Sequence, residues 1–241
     1  MSDRTAIVTG GGKRVGEQIV RALLDDGWKV VAHVHHDGDA VPAGAITAVA
    51  DLAEGRCAER IFAASEGLPP VRLLVNNAAR FAFDSLGSAS AAEFDAHMAV
   101  NARAPMLLID ELARRHAGGA AVVVNLLDAK LAAPNPDFLS YTLSKYALAG
   151  LTEVAARALA GKGIRVNAIA PALMLPSGEQ TEDNFRAVHN HNPLQHGIAI
   201  EELIVALRYL IDSAGMTGQT LVLDGGQRFM GLDRDVQFLE S

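Results

Sequence analysis

Apolar residues alternate along the chain between short β-branched runs and stripes of helical spacing. Thr5 to Thr9 is such a run, Gly10-Gly11-Gly12 stops it, and Val15 to Asp26 then carries apolar side chains at Val15, Ile19, Ala22 and Leu23. Strand, glycine turn and helix are predicted in that order. Gly27 closes the helix, and Lys29 to Val34, Ile46 to Ala50, Val71 to Val75, Ala120 to Leu126, Ile164 to Ala170 and Thr220 to Leu223 read as further strands. Helical patterns over Cys57 to Glu66, Ala91 to His116, Ser140 to Ala160 and Glu201 to Ile211 fall between most of them. The strands are apolar without in-out alternation, as in a parallel sheet covered on both faces. The predicted fold class is doubly wound α/β. No Pro/Ser/Gly-rich linker or repeat divides the sequence, so residues 1–241 are expected to form a single domain. The stretch 173–192 is polar, carries histidine and resists a regular reading; a substrate lid is expected there, with an ordinary surface excursion as the alternative.

Composition narrows the classes of function. Half of the 241 residues are apolar, enough for one extensive core. Acidic residues outnumber basic ones, 28 against 21, for a formal charge of −7, so phosphate backbones are repelled and nucleic acid is not expected as a partner. A single cysteine, Cys57, forbids an internal disulfide and any zinc site built from several thiolates, and it suits a reducing compartment. No basic and apolar leader precedes the first strand, and no run of about 18 apolar residues occurs, so neither export nor a membrane span is expected. A cytoplasmic location follows from these points.

Chemistry enters at the first turn. In Thr9-Gly10-Gly11-Gly12-Lys13-Arg14-Val15-Gly16 the glycines let backbone approach a pyrophosphate, while the helix N-terminus offers N–H donors and a positive dipole. A dinucleotide is the natural ligand, although a tight turn also needs glycine for its own sake. Lys13 and Arg14 suit a nucleotide with an extra phosphate, as NADPH has at its 2′ position. At the end of the second strand, where an NAD-preferring site places an acid, stands His33, which favours the same choice; Asp37 lies a few residues on. His33, His35 and His36 do not make a metal site, because alternate strand residues face opposite ways and no carboxylate completes a ligand set. Tyr141 and Lys145, four apart at the start of a helix, share a face, and an ammonium beside a phenol favours phenolate and so a rechargeable proton donor. A bare Tyr–Lys pair is more often a solvated helix face.

Ordered motifs over nearly the whole chain carry a resemblance. The glycine turn, Asp51 after the third strand, Asn76-Asn77-Ala78-Ala79 after the fourth, Asn101 in the long helical stretch, Tyr141 with Lys145, Asn167 to Pro171, and Asp224-Gly225-Gly226 resemble the short-chain dehydrogenase/reductase family. The resemblance implies a Rossmann-type reductase, commonly a homotetramer. Tyr141 would donate the proton, Lys145 would bind the nicotinamide ribose and lower the tyrosine pKa, and Asn101 would hold a relay water. Asp51 would contact adenine. To the cofactor the resemblance assigns Gly10, Lys13, Arg14, Val15 and Gly16 of the turn, His33, Asp51 with Leu52, Asn77 with Ala78, and Pro171 and Met174.

The departures from the family pattern point to a branch. Most members have glycine where Arg14 stands, serine where Asp128 stands, glycine where Ala79 and Ala172 stand, and threonine near Pro176. Arg14 together with Asp128 is similar to the pteridine reductases, including dihydromonapterin and dihydrofolate reductases, and Phe81 lies where that branch carries an aromatic that stacks on the pterin. Chemistry supports this apart from the likeness. Reduction of a C=N bond needs a proton on ring nitrogen, which a carboxylate beside tyrosine relays better than a hydroxyl, and a flat heteroaromatic wants an aromatic face. Plainer readings stand beside these: Phe81 or Phe83 as core, and Asp128 as the cap of the turn before Leu131. The expected substrate is a dihydropterin or dihydrofolate, with Tyr141, Lys145, Asp128 and Asn101 catalytic and Phe81, Asp128 and Tyr141 on the substrate. Two other readings remain: a carbonyl reductase acting on a 3-oxoacyl, sugar or keto compound, and a cofactor-sensing regulator that has lost turnover.

Overall fold

The computed structural model describes residues 4–176 and 180–239. Its strands are β1 (Thr5–Val8), β2 (Lys29–Val34), β3 (Ile46–Val49), β4 (Val71–Asn76), β5 (Ala121–Leu126), β6 (Ile164–Pro171) and β7 (Thr220–Leu223). They form one seven-stranded sheet in the order β3-β2-β1-β4-β5-β6-β7, with every neighbouring pair parallel. The chain winds outward from β1 to β3, returns to β4 on the other side of β1, and winds the opposite way. The carboxyl ends of β1 and β4 therefore flank the switch point, where an open α/β sheet leaves its ligand crevice.

Helices cover both faces, which explains the unalternated apolar strands. On one side Ile7, Val31, Leu74 and Val123 pack under α2 (Cys57–Ala63), α4 (Ala104–Arg115) and α5 (Leu139–Leu159). Their neighbours Ala6, Val8, Val30, Leu73 and Val75 point the other way, under α1 (Arg14–Asp25) and α7 (Ile200–Asp212). Odd and even strand positions are both dry.

The stretch predicted as one helix over 91–116 is broken. α3 (Ala91–Met98) and α4 are separated by a π-helical turn over Ala99–Arg103, in which the Ala104 N–H donates to the Ala99 carbonyl five residues back. Pro105 supplies the cause. It has no N–H for the Asn101 carbonyl four residues before it, so the α-helical ladder cannot run through this place. A helix that periodicity did not predict, α6 (Glu182–His189), lies within the expected lid; the Thr181 hydroxyl caps it by accepting from the Asn184 N–H at 3.2 Å, and Val188 is its buried contact. Residues 177–179 of that expected lid lie outside the described residues. Among the described residues no helix is long and apolar enough to cross a membrane.

Candidate active site

A cleft of about 980 Å³ opens at the switch point. Its floor is the glycine turn. A Cβ on Gly16 would come within 2.0 Å of the Gly10 carbonyl oxygen, and one on Gly12 within 2.5 Å of that of Ala40, so only glycine permits this approach of turn, helix and β2 loop. Thr9 and Asn77 lock the turn to the segment after β4: Thr9 Oγ1 accepts the N–H groups of Asn77 and Ala78, each at 3.0 Å, and Asn77 Nδ2 donates to the Thr9 carbonyl at 2.8 Å. α1 starts at Arg14 with no side-chain cap, leaving its first-turn N–H groups for an anion. The tight glycine cradle and uncapped helix fit a dinucleotide pyrophosphate. Gly10, Lys13, Arg14, Val15, Gly16, Asp51, Leu52, Asn77, Ala78, Pro171 and Met174 all line this cleft.

His33 has a different task from the one its position suggested. It lines the cleft but is 3 % exposed. Its Nδ1 accepts from the Gly10 N–H at 3.1 Å, and its Nε2 lies 2.9 Å from the Ala50 carbonyl, which fixes the neutral tautomer with the proton on Nε2. Burial lowers its pKa, so the ring stays uncharged. With both nitrogens occupied, His33 holds the glycine turn to the end of β3 and has no donor left for a phosphate. Arg14 also departs from expectation: its guanidinium reaches across to the Pro176 carbonyl at 2.7 Å. Lys13 from the glycine turn and His35 and His36 after β2 also line the cleft, near Asp39, whose pKa is lowered first by the hydrogen bond from the His36 N–H. Among the described residues no group of three His, Cys, Asp or Glu side chains could hold a metal ion.

Across the cleft stand the residues of α5. Phe138, in left-handed conformation at φ 55°, turns the chain into the helix, and buried Asp84 receives the Ser140 N–H at 2.9 Å and the Ser140 hydroxyl, pinning the first turn. Tyr141 is thereby aimed at Asp128, to which its hydroxyl donates at 2.8 Å. Both plain and chemical readings of Asp128 hold at once: Oδ2 receives the tyrosine, while Oδ1 caps the following turn by accepting from the Lys130 N–H at 2.9 Å. Burial pushes the Asp128 carboxyl up, against the two hydrogen bonds that favour its charge. Tyr141 is raised well above its ordinary value, first by burial and then by the charge of Asp128. The Lys145 ammonium, expected to lower the tyrosine, lies 5.6 Å from the centre of the Tyr141 ring and donates to the Leu126 carbonyl at 2.6 Å. Its own pKa falls to about 8 through burial. Tyr141 is therefore held as a phenol, not as a phenolate.

Phe81 is not core. It is 36 % exposed, stacks on Phe138 with ring centroids 4.3 Å apart, and meets Tyr141 edge-on at 4.8 Å. Phe83 is more exposed still, at 53 %. Asn101 lies behind this wall and does not line the cleft: it is 1 % exposed, and its side chain is spent on the Arg80 N–H at 2.7 Å, the Arg80 carbonyl at 2.9 Å and Ser144 Oγ at 2.9 Å. The side chain anchors the segment that carries Phe81, while the Asn101 main-chain carbonyl, denied a donor by Pro105, is the group of this residue left to hold a relay water. Sequence reasoning missed the far wall altogether. Lys130, Gln227, Arg228, Asp235 and Gln237 line it, the last four from the segment after β7, where no periodicity marked them.

Comparison with known proteins agrees with this geometry. A family described as "Enoyl-(Acyl carrier protein) reductase" matches residues 12–228. The crystal structure of FolM alternative dihydrofolate reductase 1 from Brucella canis complexed with NADP superposes with a TM-score of 0.88 at 37 % identity, covering 93 % of this chain and 94 % of that one. Dihydromonapterin reductase of Enterobacter sp. (strain 638) is 28 % identical over 93 % of this chain and 96 % of that protein. L-xylulose reductase of Bos taurus is 32 % identical over 94 % of this chain and 97 % of that protein. With the matching fold and motifs, these similarities establish that the chain is an oxidoreductase that belongs to the short-chain dehydrogenase/reductase family.

Proposed function

We propose that this protein is an NADPH-dependent reductase of a dihydropterin-type substrate. The observation that carries the reading is the 2.8 Å bond between Tyr141 and Asp128 beneath the exposed ring of Phe81. NADPH, when bound in the glycine cradle, supplies the hydride. The chain supplies the rest. Phe81 offers a face for a flat heteroaromatic ring, and Tyr141 sits at its edge with a proton to give. The ring nitrogen of the reduced C=N bond takes that proton. Asp128, whose burial favours its protonated form, restores it to the tyrosine and is recharged from water through the cleft. Lys145 is the group for the nicotinamide ribose, and Lys13 is the cation for a 2′-phosphate, with the imidazoles of His35 and His36 lining the same cleft. The loop after β6, with Met174 lining the cleft and Pro176 held by Arg14, is the near half of a lid over this site. NADP in the Brucella canis structure and the dihydromonapterin reductase likeness support the reading.

The likeness to L-xylulose reductase favours a second one, carbonyl reduction with Asp128 standing in for a serine hydroxyl. The intact Tyr141/Lys145 pair speaks against a regulator without turnover. NADPH oxidation measured with dihydrobiopterin, dihydromonapterin, dihydrofolate and an acetoacetyl thioester separates the enzymes. A pterin reductase turns over the first group, loses that activity in Asp128→Ser, and loses roughly two to four orders of magnitude of kcat in Tyr141→Phe. Absence of pterin turnover in the wild type, or unchanged pterin turnover in Asp128→Ser, would favour the carbonyl reading.

A further inference from the structure

The segment after β7 returns to the cleft and is fastened there at several points. Arg234 Nε donates to both carboxylate oxygens of Asp137, at 3.1 and 2.8 Å, and the Asp235 N–H donates to Asp137 Oδ2 at 2.8 Å. The Phe238 ring lies parallel to that of Phe138 with centroids 6.0 Å apart. At the centre is Asp235, whose Oδ2 accepts from Lys130 Nζ at 3.2 Å. Lys130 belongs to the turn that Asp128 caps: its backbone N–H donates to Asp128 Oδ1, and its ammonium also donates to the Asp137 carbonyl at 2.6 Å. A continuous chain of contacts thus runs from the C-terminal segment through Lys130 to Asp128 and Tyr141. With side-chain exposures of 8 % and 18 %, Lys130 and Asp235 are withdrawn from water, unlike a solvated surface pair.

We infer that Asp235 is a positioning residue for proton donation: reaching in from the C-terminal segment, it holds the Lys130 ammonium away from Asp128 and fixes the turn on which Asp128 meets Tyr141. The inference rests on the reading of Asp128 and Tyr141 as the proton-donating pair. Lys130 carries a cation on a flexible stem only two residues from Asp128. Directed to Asp235 and the Asp137 carbonyl, it leaves the catalytic carboxyl with two hydrogen bonds, from the Lys130 N–H and the Tyr141 hydroxyl, and spares it the pull of an ammonium at hydrogen-bond distance. The negative charge of Asp235 acts in the same direction on both Asp128 and Tyr141. Asp235 hydrogen-bonds to Lys130, Asp137 and Gln237, and none of its hydrogen bonds goes to the glycine turn.

The test is a cycle of Asp235→Asn, Lys130→Met and the double variant, with Asp235→Glu as the conservative partner. Each is read by kcat and KM for the substrate, by NADPH titration, and by hydrogen exchange of the amides of residues 232–238 in the unliganded protein. Asp235→Asn keeps the shape and leaves Arg234 on Asp137, so the segment stays attached but loses the ion pair with Lys130 that tightens it. Its kcat should fall about tenfold, with NADPH affinity held within about twofold, faster exchange over 232–238, and recovery of most of the loss in Asp235→Glu. The double variant should be no slower than the slower single one, because both residues act along one chain of contacts. Unchanged kcat in Asp235→Asn, a fully multiplicative double variant, or a parallel loss of NADPH affinity would each overturn the inference. A wild type that reduces ketones and no pterin would sink the substrate reading alone; the same cycle is then read on the ketone, since the inference needs the Asp128–Tyr141 pair and not the pterin.

Discussion

Replacing Lys145 with methionine in the unliganded protein should change how folding stability depends on pH, by an amount the structure sets. Lys145 is 3 % exposed, and burial brings its pKa from 10.5 down to about 8, with only a partial offset from Asp128. The fall of about 2.5 pH units, from 10.5 to about 8, corresponds to about 3 kcal/mol withheld from the folded state while the ammonium is charged. At pH 7 folded and unfolded chains both carry the proton, and the penalty is present in full. Between about pH 8 and 10.5 the folded chain has released the proton while the unfolded chain still binds it, so this group makes wild-type stability rise with pH. The methionine variant has no such group. Its stability relative to wild type should therefore decline by about 2–3 kcal/mol on passing from pH 7 to pH 10, whatever constant offset comes from the lost bond to the Leu126 carbonyl. Urea denaturation followed by far-ultraviolet circular dichroism, at one protein concentration and at both pH values, measures this. Parallel pH profiles for the two proteins, differing by a constant to within about 0.5 kcal/mol, would refute a buried and charged Lys145.

Two further variants probe the scaffold. Gly16→Ala forces a methyl group to within 2.0 Å of the Gly10 carbonyl oxygen, so the turn must move; NADPH affinity, followed by fluorescence titration, should fall about tenfold or more, and near-normal affinity would show that the turn does not cradle the cofactor. Asn101→Ala removes three hydrogen bonds and strands both backbone groups of Arg80, which should cost about 2–4 kcal/mol of stability in urea and raise the KM for substrate more than that for NADPH, because Phe81 follows Arg80 directly; equal effects on both KM values would detach Asn101 from the Phe81 wall.

What could be read from the sequence was what short spacing encodes. The glycine turn and the Tyr141/Lys145 pair each lie within one turn of chain, and parallel strands dry on both faces leave an unmistakable apolar run. His33 was placed correctly at the cleft and given the wrong task, since its ring nitrogens are filled by backbone groups 23 and 17 residues away. Asn101 was read as a relay group; the partners of its side chain, Arg80 and Ser144, reach it from β4's loop and from α5, so its anchoring task left no local signal. The far wall stayed invisible for the same reason on a larger scale. Arg234 and Asp235 find Asp137 and Lys130 across 97 and 105 residues, and the stretch that carries them forms only short 3₁₀ turns with no stripe to mark it.

The π-helical turn at 99–103 sets the phase between two jobs that one straight helix could not do together. Each residue of an α-helix advances the direction of its side chains by about 100°, so one residue more within a turn rotates everything after it by that angle. Before the turn, His97 looks toward Tyr141, its ring 6.5 Å from the tyrosine ring; after it, Leu108 and Leu112 look down onto the sheet. Deleting one residue here would swing the apolar stripe of α4 off the core, whereas keeping that stripe in a regular helix would swing Asn101 off Arg80. Pro105 thus works as a phase shifter, letting the wall of the site and the covering of the sheet be tuned by sequence independently of each other.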